Sequence, residues 1–185
     1  MSYPVIVIDM MKYALFNYIP QRFQHRATFE ELDICRMVIG FKDGRNIYTR
    51  WAAGLFAKAL AMADLHDTVI VCVPASTKCA HVRRWKRFSS MLCAQTGAID
   101  GFSHIEVVGN RKRAHVTREY ELASNVKHLV HIDNDFFRGK KVLVIDDIYT
   151  TGRSSDAFIG AMEAAGAHVR MAMFLAKTRY FGKRE

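Results

Sequence analysis

The feature of this chain best able to do chemistry is a pair of adjacent acids followed by a cluster of hydroxyls. Residues 142–155 read Val-Leu-Val-Ile-Asp-Asp-Ile-Tyr-Thr-Thr-Gly-Arg-Ser-Ser. An apolar run ends in Asp146 and Asp147, and a short loop leads into a helix-like stretch. Thr150, Thr151, Ser154 and Ser155 offer side-chain donors, and Gly152 lets the backbone come close to a ligand. Loop N–H groups together with the start of a helix make an anion site, for which phosphate is the best common fit. Arg153 can add a charge-assisted bond. The two acids would repel a phosphate, so they must face another part of the same ligand. Carboxylates accept hydrogen bonds from vicinal hydroxyls, and a ribose 5-phosphate satisfies the whole arrangement. Neighbouring residues of a strand point to opposite faces, so both acids can share one ligand only if the strand bends there.

These residues must be held by regular elements. Lys141–Ile145 is the clearest strand, and 154–165 has helical spacing with Gly166 placed as a left-handed cap. Thr68–Val73 is a continuous β-rich run, which suits a strand buried on both faces. Residues 49–64, 79–96 and 117–130 read as helices, and 105–108 and 169–175 as strands. The first 45 residues are irregular in pattern, with a β-branched run at Val5–Ile8 and an interruption at Pro20. Strands alternating with helices predict an α/β fold with a mainly parallel sheet.

Composition narrows the classes. The 185 residues are half hydrophobic with only 3 Pro, which excludes disorder and fits one domain over 1–185. Lys plus Arg is 27 against 18 acids, a net charge of +9, so partners carrying phosphate or other anions are expected. The excess clusters at 78–87, 111–113 and 177–184; the last is expected to be frayed and solvated. The four cysteines show neither disulfide-framework nor zinc-ribbon spacing, which points to a reducing, cytoplasmic setting. The stretch from Pro4 to Phe16 contains Asp9 and Lys12 and is too short to span a bilayer, so no membrane partner is expected. His128 and His131 have a metal-compatible spacing but no visible third ligand.

Residues 142–154 resemble the PRPP-binding signature of type I phosphoribosyltransferases: an apolar strand, two acids, two variable residues, then Thr-x-Gly-x-Thr/Ser. A weaker resemblance over about 37–177 points to the competence-protein-F (ComF)-like branch. It is carried by Met37–Arg45, by Val71–Pro74 with the basic stretch to Phe88, and by Arg111–Val126. The branch's zinc ribbon is missing, and its Gly-Phe-Asn-Gln is here Arg87-Phe88-Ser89-Ser90.

The resemblance implies a three-layer fold with a small N-terminal hood (1–45) on a core (46–180). It implies transfer of ribose 5-phosphate from PRPP to a nitrogen nucleophile, releasing pyrophosphate, with Mg as the cofactor. Asp146 and Asp147 would be the catalytic acids holding the ribose, with Mg reached through substrate and water. Thr150, Thr151, Gly152, Arg153, Ser154 and Ser155 would hold the 5-phosphate. Ala75, Ser76, Thr77 and Lys78 would form a pyrophosphate loop, with a cis peptide at 75–76 or 76–77, the alternative being an ordinary strand-to-helix turn. Arg84, Lys86 and Arg87 would belong to a flexible flap, the alternative being a solvated helix face. Thr150 stands where relatives acting on 6-oxopurines place an acid, which disfavours hypoxanthine and guanine. A non-catalytic sensor or a nucleic-acid-binding protein linked to DNA uptake is the rival, with Trp85 and Phe88 as stacking groups among the cations. Implied partners are PRPP and pyrophosphate, an unidentified acceptor base, and a second copy in a homodimer.

Overall fold

A computed structural model describes residues 6–9, 11–108 and 130–180. The predicted helix at 117–130, the Arg111–Arg113 patch and His128 lie outside them, apart from Val130, which opens a strand.

Six strands form the central sheet in the order β1-β2-β8-β7-β3-β4. They are β1 (Ile6–Asp9), β2 (Lys12–Tyr18), β3 (Thr68–Cys72), β4 (Ile99–Asp100), β7 (Lys141–Tyr149) and β8 (His168–Thr178). Only β1–β2 is antiparallel; β2–β8, β8–β7, β7–β3 and β3–β4 are parallel. A separate antiparallel pair joins β5 (Ile105–Val107) to β6 (Val130–Ile132).

Strand alternation sorts the core into two layers. Leu15, Ile70, Leu143, Ile145, Met173 and Leu175 face α1 (Phe29–Lys42), α2 (Asn46–Ala59) and α4 (Arg87–Thr96). Ala14, Val69, Val71, Val142, Val144 and Phe174 face α6 (Arg153–Ala164) and Phe137 of the short α5 (Asn134–Phe137). Helices thus cover both faces, the three-layer α/β arrangement the sequence led us to expect. β3 is buried at every position, as its unbroken apolar run requires. Gly166 takes φ +87° just past α6, the left-handed cap its position suggests.

The boundary expected at residue 46 is not seen in the sheet. Residues 6–42 supply two strands and a helix, and Ala14, Leu15, Phe16, Ile19, Val38 and Phe41 are part of the core. The stretch at 12–18 buries both faces, so it shows no simple polar–apolar alternation. α1 begins at a capping box: Thr28 Oγ1 accepts from Glu31 N–H while Glu31 Oε2 accepts from Thr28 N–H.

Candidate functional site

One pocket of about 280 Å³ opens at the carboxyl ends of β3 and β7, where open α/β sheets bind ligands. Its wall is made by Val73–Ser76 after β3, by Asp146–Ser155 from β7 into α6, by Phe174 of β8, and by Lys42 and Arg84.

β7 does not end at the acids. Its ladder with β8 runs on to Ile148↔Ala176 and Tyr149↔Lys177, so the bend expected at Asp146–Asp147 is absent and the two side chains leave opposite faces. Asp147 follows Leu143 and Ile145 toward the α1–α4 layer. There its Oδ2 lies 2.6 Å from Arg84 Nη1, an ion pair without full hydrogen-bond alignment. Its Oδ1 accepts from Ile148 N–H at 2.6 Å. Asp146 Oδ1 accepts from Asp147 N–H at 2.8 Å. Burial and the neighbouring Asp147 push the Asp146 carboxyl well above the usual carboxylate range, against the pull of that N–H, Arg84 and Lys42. Both acids nevertheless line the pocket, whose wall joins Lys42 and Arg84 on one side of the sheet to Phe174 and the start of α6 on the other, so a ligand lying across the strand end can meet both without a bend.

The hydroxyl loop is shaped by Gly152, with φ +80° and ψ −14° at the N-cap of α6. An added Cβ would sit 2.9 Å from both Asp156 Oδ2 and Tyr149 Oη. The N-cap itself is a glycine and supplies no capping side chain, and the first turn of α6 lines the pocket rim, where helix N–H groups are available to bond outside the helix. Ser155 Oγ donates to Gly152 O at 2.9 Å, committing that hydroxyl to the loop's shape rather than to a ligand. The back of the loop is tied down. Thr150 Oγ1 lies 3.0 Å from Thr178 Oγ1, and Tyr180 Oη donates to Thr150 O at 2.7 Å. Lys177 and Thr178 thus end β8 and Arg179 and Tyr180 brace the loop, with Arg179 paired to Glu31 at 2.7 Å; the rest of the tail expected to fray, 181–184, lies outside the described residues.

The basic segment forms the helix expected over 79–96 but departs from the loop and flap geometry the resemblance implied. All peptide bonds among the described residues are trans, so the expected cis bond at 75–77 is absent. Ala75 and Ser76 line the pocket, but Thr77 and Lys78 do not. Thr77 Oγ1 instead accepts from Ala80 N–H at 3.1 Å, capping α3 (Lys78–His81). Lys78 Nζ meets Glu106 Oε1 at 2.7 Å and holds that carboxyl below its ordinary range. From Lys78 to Thr96 the chain is continuously helical, with a π-turn over Val82–Lys86. His81, Trp85, Phe88, Ser89 and Leu92 form its buried stripe. A segment anchored by such a stripe is a helix wall, not a mobile flap. Lys86 and Arg87 are exposed on its outer side, while Arg84 reaches the pocket. Trp85 and Phe88 pack against Phe41 and are fully buried, which removes the stacking surface the nucleic-acid reading needed. His81 is stacked on Phe102 with neither ring nitrogen partnered. Burial, helped by Arg84, lowers its pKa to about 4, so it is neutral at pH 7.

Two pocket cations were not both legible in advance. Lys42 stands at the end of α1, within the Met37–Arg45 segment that carries the weaker resemblance. Arg84 donates from Nε to Lys42 O at 2.8 Å, which joins the two walls. The cysteines are free, with only Cys79 exposed. Among the described residues no helix is long and apolar enough to cross a membrane.

No family model matches the chain. Over 86 residues it is 33% identical to an adenine phosphoribosyltransferase of Thermotoga neapolitana, covering 46% of this chain and 50% of that one. It is 31% identical over 86 residues to the adenine phosphoribosyltransferase of Thermotoga maritima, covering 46% and 49%. The chain thus spans about half the length of the curated relatives it matches. Solved structures similar to it include an adenine phosphoribosyltransferase from Thermoanaerobacter pseudethanolicus, at TM-score 0.44 and 20% identity over 72% of this chain and 70% of that one. Another is UMP synthase of Leishmania donovani, at TM-score 0.43 and 18% identity over 70% and 22%. Sequence similarity thus links 86 residues, about half of this chain, to the Thermotoga adenine phosphoribosyltransferases.

Proposed function

We propose that this pocket binds PRPP and transfers its ribose 5-phosphate to a nitrogen nucleophile. The observation that carries the proposal is the convergence of three elements on one pocket: the acids in the last third of β7, the Gly152 loop at the start of α6, and the Val73–Ser76 turn after β3. The loop suits the 5-phosphate, the acids suit ribose hydroxyls, and the β3 turn with Lys42 and Arg84 suits the diphosphate. The nucleophile's nitrogen attacks the anomeric carbon, the bond from that carbon to the diphosphate oxygen breaks, and its electron pair leaves with pyrophosphate. The nitrogen's proton passes to solvent. Charge grows on the diphosphate, so cations held beside it lower the barrier.

The carboxylates of Asp146 and Asp147 suit a hard, oxygen-seeking ion such as Mg²⁺ whose shell is completed by substrate oxygens and water. Bound there, it would supply charge neutralisation of the diphosphate. Asp147, held by Arg84, and Asp146, held by the Asp147 N–H, are oriented before any ligand arrives.

Adenine heads the acceptor panel, because the aligned relatives are adenine phosphoribosyltransferases and Thr150 lacks the acid expected for 6-oxopurines. The competence-protein-F-like placement, a role in nucleotide metabolism, a cytoplasmic location and a homodimer belong to the same proposal. Pyrophosphate release from PRPP and Mg²⁺ across a panel of bases tests it. Turnover with one base and loss of turnover in Asp146→Asn plus Asp147→Asn is the expected result. Silence with every base would leave only binding and overturn the transferase reading.

A further inference from the structure

Arg84 is engaged on two sides. Its Nη1 pairs with Asp147 Oδ2 at 2.6 Å, its Nε donates to the Lys42 carbonyl at 2.8 Å, and only 14% of its side chain is exposed. It nevertheless lines the same pocket as the Gly152 loop and the β3 turn. It projects from the π-turn at Val82–Lys86, between His81 and Trp85, which are locked in the core. π-turns inside helices recur at functional sites because they re-aim one side chain without moving the rest. An arginine–carboxylate pair this buried is held mainly because neither partner can be left alone. An incoming anion competes with Asp147 for the guanidinium, and a ligand that needs Asp147 Oδ2 must displace Nη1 from it.

We infer that the Arg84–Asp147 pair is a latch: Arg84 holds Asp147 until the diphosphate of the ligand takes the guanidinium, which frees the carboxylate for the ribose end of the same molecule. The inference rests on the proposed PRPP reading. It makes Arg84 a positioning residue that couples the two ends of the substrate. Inorganic phosphate, held by the Gly152 loop, should bind without opening the latch, whereas a diphosphate should compete with Asp147 for Arg84.

Calorimetric titration of the whole chain with inorganic diphosphate and, separately, inorganic phosphate tests the latch in wild type, Arg84→Met, Arg84→Lys, Asp147→Asn and the Arg84→Met/Asp147→Asn double variant. Loss of a charge-assisted bond predicts diphosphate binding about tenfold or more weaker in Arg84→Met, with phosphate binding little changed. Asp147→Asn should tighten diphosphate binding, because the competing carboxylate is gone, and only where Arg84 is present. A merely structural Arg84 would not produce that gain. Arg84→Lys keeps the charge but cannot both pair with Asp147 and reach Lys42 O; it should fold and bind with intermediate affinity even if Arg84→Met does not fold. Diphosphate binding that is absent in wild type, or unchanged by Arg84→Lys and by Asp147→Asn, would overturn the latch. PRPP is titrated alongside. Wild type that binds diphosphate with the expected coupling but ignores PRPP would refute the PRPP reading and keep the latch. Binding of PRPP with no Arg84–Asp147 coupling would do the reverse.

Discussion

Gly152→Ala separates the shape of the loop from the stability of the fold. Gly152 sits at φ +80°, where a side chain costs about 1–2 kcal/mol. The new Cβ meets Asp156 Oδ2 and Tyr149 Oη at 2.9 Å. Both are ends of side chains and can yield, although Asp156 must then leave its 2.9 Å contact with Lys12. The global cost is therefore the backbone term, a drop in Tm of about 2–8 °C for a chain this size. The site should suffer more. Turning the Gly152 peptide re-aims the N–H groups at the start of α6, and losing one or two charge-assisted bonds weakens anion binding about tenfold or more. Gly139→Ala is the internal control: its φ is +71° with nothing within 4 Å of the added Cβ, and it lies outside the pocket wall. Thermal unfolding and phosphate titration of both variants should show similar Tm losses but a loss of affinity only in Gly152→Ala. Equal phosphate affinity in the two variants would refute the claim that this loop is the anion cradle.

Further outcomes follow from the same geometry. Asp146, whose proton is favoured by burial and by Asp147, binds more protons folded than unfolded. Its contribution therefore falls as pH rises from the ordinary carboxylate value toward its raised one. Asp146→Asn should gain stability relative to wild type over that window, by up to about 1.4 kcal/mol per pH unit; denaturant midpoints that shift in parallel at every pH would contradict this. Trp85→Ala opens a cavity beside Phe41 and Phe88 and should cost about 3–5 kcal/mol in urea unfolding. A variant that unfolds like wild type but loses single-stranded DNA binding would restore the nucleic-acid surface. Lys78→Met, whose ammonium is engaged by Glu106 outside the pocket, should leave PRPP affinity unchanged in titration. A large loss would return Lys78 to the site.

The chemistry of the β7–α6 junction was legible because it is local: two acids, a glycine and hydroxyls lie within ten residues, and their spacing alone places them at one strand end. Three things were not. The strand read as Lys141–Ile145 runs on through both acids to Tyr149, since a ladder to β8 outweighs the poor strand preference of aspartate. Strand β2 was missed because Ala14, Leu15 and Phe16 are all buried, so no alternation marks it. For α1 the Thr28–Glu31 capping box was the available signal. The helix over 79–96 is legible from its mixed charged and apolar spacing, but the charge of 78–87 does not by itself mark His81, Trp85, Phe88 and Leu92 as the stripe that buries it. That stripe decides between helix and flap. Lys42 and Arg84 meet Asp147 only through packing of α1 and the π-turn against β7, a long-range fact no spacing encodes.

The most direct test of the central claim is calorimetric titration of PRPP with Mg²⁺ into wild type and into Asp146→Asn plus Asp147→Asn. The account predicts one-site binding in wild type that the double substitution abolishes while the fold is retained. Binding that survives both substitutions would contradict it.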